Sequence, residues 1–195
     1  MQNKDLIDFY NAIHNDLKIR PNGCYFTINE NGNDSIIKKV RLKFKNKDDV
    51  LIIRQNEQKH TVKDILVNHS TDCCCDFILF MIRNGNLQIY LCEIKSSLCI
   101  EHKEKAIKQF KASFQFLKYF ISSYLYYNSK SNFDMDKLEN VVSRYYIYPS
   151  INGMSNKTGI SYEKIENFSI FYKTVELSTD DEGVVTVQDG YRFFV

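Results

Sequence analysis

The chain has 195 residues, of which 26 are basic and 24 acidic, for a formal net charge of +2; 44% are hydrophobic and 14% aromatic. This composition excludes intrinsic disorder, which needs few apolar residues and a large net charge, and no apolar run reaches membrane-spanning length. The length leads us to expect one domain over 1–195 with a full α/β core, and Met1–Asp5 lacks the apolar stretch of a secretory signal, so the expected compartment is cytoplasmic.

Asn3 to Asp16 places Leu6, Ile7, Phe9, Tyr10, Ile13 and Leu17 on the apolar side of an amphipathic helix, which Pro21-Asn22-Gly23 closes. Cys24 to Ile28, Ile36 to Phe44 and Val50 to Arg54 read as strands. Asn31-Gly32-Asn33 and Asn46-Lys47-Asp48 are the loops between them. Thr61 to Val67 reads as a short helix capped by Thr61. Cys73, Cys74 and Cys75 alternate faces on a strand, so they cannot together ligate one zinc. They read as small apolar core residues, reduced in a cytosolic protein.

Asp76 to Lys95 is the most informative stretch. Phe77 to Ile82 and Leu87 to Cys92 are apolar runs around Arg83-Asn84-Gly85-Asn86. Asn-Gly is the strongest short-range signal for a two-residue type I′ hairpin turn. Counting outward pairs Arg83 with Asn86, Ile82 with Leu87, Phe80 with Ile89, Ile78 with Leu91 and Asp76 with Glu93. Directly opposed side chains share a face, and Lys95 lies on that face too. Two carboxylates about 5 Å apart repel by roughly 3 kcal/mol at an effective dielectric near 20. Lys95 offers partial compensation, and a divalent cation offers more. A buried structural ion triad is the other reading.

Glu101 to Tyr127 reads as a long helix. Ile107, Phe110, Phe114, Leu117, Ile121 and Tyr124 form its apolar stripe, and Lys108, Lys111, Gln115 and Lys118 its polar side. Gln109 sits at the border of the stripe, where a side chain reaches the sheet edge. Val141 to Tyr148 reads as a strand closed by Pro149, which makes a βαβ crossover with parallel pairing. Further strands are expected at Phe168 to Val175 and Val184 to Val195, with turns at Asp181-Glu182-Gly183 and Asp189-Gly190. Glu101 to Lys130 carries six lysines against two glutamates, whereas Glu176 to Val195 carries five acids against Arg192. The basic stretch fits either a phosphate-facing side or a solvated helix face.

An Asp followed across an apolar hairpin by Glu-x-Lys, here Asp76 and Glu93-Ile94-Lys95, resembles the PD-(D/E)XK nuclease superfamily over roughly residues 50–150. Cys75 stands where the family motif has Pro. Glu57-Gln58-Lys59, Glu101-His102-Lys103 and Asp16-Leu17-Lys18 also match the triplet, but none ends an apolar strand with an Asp opposite. Asp72 shares the parity of Asp76 but not its place opposite Glu93.

The resemblance implies a restriction-endonuclease-like α/β fold: a mixed β-sheet flanked by helices, with extra N- and C-terminal strands. It implies Mg²⁺, with Mn²⁺ able to substitute, held by Asp76, Glu93 and the backbone carbonyl of Ile94, with Lys95 orienting water and stabilising charge. Some members carry a supporting Gln-x-x-x-Tyr motif on the helix. Gln115 and Tyr119 match it literally, but the wheel puts Gln115 among lysines, so Gln109 is the expected auxiliary residue. Lys103, Lys105, Lys108 and Lys111 become candidate phosphate contacts. The implied function is a metal-dependent DNA endonuclease of restriction or phage-defence type, working as a homodimer or beside a partner protein. The alternative is a non-catalytic nucleic-acid-binding or assembly module on the same fold.

Overall fold

Asn84 and Gly85 set the centre of the fold. Both take positive φ, 51° and 74°, as a type I′ turn requires. The turn joins β5 (Phe77–Arg83) to β6 (Asn86–Ile94). The antiparallel register is the one the sequence predicts, with Arg83 beside Asn86, Phe80 beside Ile89 and Ile78 beside Leu91. The structure is a computed structural model that describes residues 3–30, 32, 34–54, 74–128, 133–150, 157–165 and 168–195, by backbone alone at 3, 157–165 and 168–169.

Around this hairpin stands a seven-stranded mixed sheet in the order β1-β4-β5-β6-β7-β9-β8. The other strands are β1 (Lys18–Ile19), β4 (Val50–Ile53), β7 (Val142–Pro149), β8 (Lys157–Ile165) and β9 (Phe168–Leu177). The helix α2 (Ile100–Tyr127) carries the chain from β6 to β7, and those two strands pair in parallel, as the crossover reading requires.

Strand alternation divides the core in two. Ile78, Phe80, Ile82, Ile89 and Leu91 face α2 and α1 (Asn3–Ala12), where they meet Phe9, Phe110, Leu117 and Ile121. Phe77, Leu79, Met81, Tyr90 and Cys92 face the opposite way. There they pack on a second sheet, ordered β10-β3-β2, built from β2 (Tyr25–Asn29), β3 (Lys39–Lys43) and β10 (Val184–Val187). The protein is therefore mixed α/β, with helices on one face of the main sheet and a small sheet on the other. Among the described residues, no helix is long and apolar enough to cross a membrane.

Several sequence expectations need correction. The first helix ends at Ala12, and a 3₁₀ turn at Asn15–Leu17 follows. The strand expected from Ile36 begins at Lys39. The strand expected over Val184 to Val195 stops at Val187. Asp189 does not turn the chain there; its side chain accepts from the Arg192 N–H and caps the short helix α4 (Gly190–Phe193). Pro149 lies within β7 rather than after it, at the strand's last position. The short helix α3 (Leu138–Val141), β1 and β8 were not anticipated. The expected helix at Thr61 to Val67, Cys73 and the competing Asp72 lie outside the described residues.

Candidate functional site

The β5–β6 ladder ends where Phe77 lies beside Cys92, so Asp76 and Glu93 stand one step further out. Both have the parity of the helix-facing residues Ile78 and Leu91, as does Lys95. Asp76 Oδ2 accepts a hydrogen bond from the Ile94 N–H at 2.6 Å. Glu93 is 1% exposed, and its Oε1 forms an ion pair with Lys95 Nζ. Lys95 Nζ also donates to Gln109 Oε1 at 2.8 Å, and Gln109 Nε2 donates to the Cys74 carbonyl at 3.1 Å. Gln109 therefore bridges the two strand ends from α2. Its neighbour one turn on, Ser113, accepts from the buried Cys75 N–H at 2.7 Å and anchors the segment that leads into Asp76.

All four residues named as catalytic from the sequence, Asp76, Glu93, Lys95 and Gln109, are thus brought together, and Ile94 joins them through its N–H. Gln115 and Tyr119 are exposed, in keeping with the wheel. Of the four lysines expected at phosphates, Lys105 is bound to Glu101 at 2.7 Å, Lys108 is exposed, and Lys103 and Lys111 are half-buried.

Electrostatics mark the site as under-compensated. Burial pushes the Glu93 carboxyl up to about 7, against the opposing pull of the Lys95 ammonium. Asp76 is held well above the usual carboxylate range, first by burial and then by the charges of Glu93 and Glu30, although the Ile94 N–H pulls it down. Glu93 Oε2 is buried and has no hydrogen-bond partner. Cys75 and Cys92 are buried thiols pushed up by the same loss of hydration, which leaves them unreactive as nucleophiles.

Glu30 is the residue that sequence reasoning missed. It follows β2 in the small sheet, and its carboxyl comes within hydrogen-bond reach of Asp76. Nothing local in Asn29-Glu30-Asn31 signals this, because the contact depends on how the small sheet packs against the large one.

Among the described residues, no group of three or more His, Cys, Asp or Glu side chains is gathered to hold a metal ion as it stands. No family model matches the chain, and neither a curated protein nor a solved structure resembles it significantly.

Proposed function

We propose that this chain is a metal-dependent nuclease that hydrolyses phosphodiester bonds, with a restriction-endonuclease-like core and DNA as its substrate class. The observation that carries the reading is the meeting of Asp76, Glu93, Lys95 and Gln109 at one end of a buried hairpin. A structural triad would satisfy its buried oxygens, whereas Glu93 Oε2 has no partner. That orphaned oxygen, two raised carboxyls and an all-oxygen donor set suit Mg²⁺ or Mn²⁺, which bind through one or two carboxylates plus substrate phosphates.

Asp76 and Glu93, with the Ile94 carbonyl, would hold the cation. When bound, the ion polarises a phosphoryl oxygen and acidifies a water molecule. Asp76 is steadied for this task by the Ile94 N–H, and Glu93 by Lys95. Gln109 removes rotational freedom from Lys95, so its charge stays fixed where negative charge builds on phosphorus and needs no reorganisation during reaction. Orientation of water and electrostatic stabilisation are therefore the roles of Lys95, ahead of proton abstraction. Lysines 103, 105, 108 and 111 would position the backbone of the nucleic acid without reading its sequence. Restriction or phage defence, in a homodimer or beside a partner protein, is the setting the motif resemblance suggests.

The test is cleavage of plasmid and single-stranded DNA in Mg²⁺, Mn²⁺ or EDTA, alongside Asp76→Ala and the Glu93→Ala/Lys95→Ala double variant. Metal-dependent cleavage that vanishes in both folded variants is expected. A fully active Asp76→Ala protein would overturn the assignment. A folded chain that binds DNA and never cuts it would favour the non-catalytic module.

A further inference from the structure

Glu30 lies outside the hairpin, yet the chain holds it firmly at the site. Its backbone N–H donates to the Lys38 carbonyl at 2.9 Å. Its Oε1 accepts from the Gly32 N–H at 3.0 Å. The loop that follows is tied to the end of β6, where Ser96 Oγ donates to the Asp34 carbonyl at 3.2 Å. Glu30 Oε2 is enclosed and receives no N–H hydrogen bond, as is true of Glu93 Oε2. Lys95 is taken up by Glu93 and Gln109. Asp76 thus feels both Glu93 and a second carboxyl, and one oxygen of each is enclosed without a hydrogen-bond donor.

A chain gains nothing in metal-free stability from such crowding, because like charges and buried unpaired acceptors are both unfavourable. Fixing a third carboxyl beside Asp76 makes physical sense where positive charge is to arrive. We propose that Glu30 is a third acidic residue of the cation site, binding the ion together with Asp76. The proposal rests on the nuclease reading and deepens it: the site would draw one carboxyl from the small sheet, and cation affinity would depend on how the two sheets are packed. The competing role for Glu30 is loop closure through Gly32. The two roles separate in Glu30→Gln, which keeps Oε1 as an acceptor for the Gly32 N–H and loses the charge.

The experiment measures Mn²⁺ binding to the full chain by electron paramagnetic resonance, with melting temperatures taken in EDTA and in Mn²⁺, for wild type, Glu30→Gln and Asp76→Asn. Circular dichroism confirms that each is folded. Glu30→Gln is expected to weaken Mn²⁺ binding by roughly tenfold or more, to melt higher than wild type in EDTA, and to gain less from Mn²⁺. Those opposite signs are what loop closure does not produce. If wild type binds Mn²⁺, Asp76→Asn does not, and Glu30→Gln binds as wild type does, this inference is overturned and the nuclease reading stands. If folded wild type binds no Mn²⁺, both are overturned.

Discussion

Removing the charge of Glu93 should change how stability depends on pH. A glutamate carboxyl titrates near 4.5 in an open chain, and burial raises this one to about 7 in the fold. At about 1.36 kcal/mol per pH unit, the folded protein binds that proton more tightly by roughly 3 kcal/mol. The sign follows from proton counts. Between these two values the native state keeps a proton that the unfolded chain has released, so stability falls as pH rises. Below the lower value both states are protonated and no penalty applies; above the upper value the full penalty is present. Asp76 shifts in the same direction and deepens the slope. The assay is urea unfolding in EDTA from about pH 5 to about pH 8, followed by tyrosine fluorescence or circular dichroism because the chain has no tryptophan. Wild type should lose about 3 kcal/mol across that range. Glu93→Gln should lose far less. On the nuclease reading, Mn²⁺ at the alkaline end should restore the missing stability by binding the charged carboxylates. Parallel pH profiles for wild type and Glu93→Gln would refute the reasoning.

Gln109→Ala releases both the Lys95 ammonium and the Cys74 carbonyl; on the nuclease reading, cleavage should fall between about 10- and 100-fold while urea stability drops by only about 1 kcal/mol. Ser113→Ala strands the buried Cys75 N–H, and a loss of about 1–3 kcal/mol in urea unfolding is the expected result. Gly190→Ala would place a Cβ 2.3 Å from the Phe44 ring. Overpacking of about 1–3 kcal/mol should lower the melting temperature, while an unchanged melt would mean that Phe44 moves aside without strain.

The site was legible where its contacts are local or periodic. The register that brings Asp76 and Glu93 to the same end of the hairpin follows from Asn84-Gly85, whose positive φ values suit those residue types. Gln109 followed from the helical wheel, because α2 can lie on the hairpin with only one stripe inward. Glu30 was illegible because it reaches Asp76 through the packing of one sheet on another. The C-terminal strand was over-extended because Tyr191, Phe193 and Phe194 suit a strand by propensity. The Asp189 cap and burial of Phe194 against Tyr90 and Tyr145 decide for a helix instead. Propensity in strands reports packing partners more than backbone preference, and those partners lie far off in sequence.

The parallel pairing of β10 with β3, in which Val184 lies beside Lys39, bears on the order in which the protein assembles. The β5–β6 hairpin closes across a two-residue turn, an event on the scale of about 1–10 μs. The small sheet needs a strand from the other end of the chain, and such long-range parallel pairing is intrinsically slow. On a ribosome, Asp76 and Glu93 would come together while residues 184–187 were still to be made, and the sheet that carries Glu30 would close afterwards. An acidic pair formed in this order spends its first moments open to solvent, and the Glu30 carboxyl reaches Asp76 only as the last strand docks.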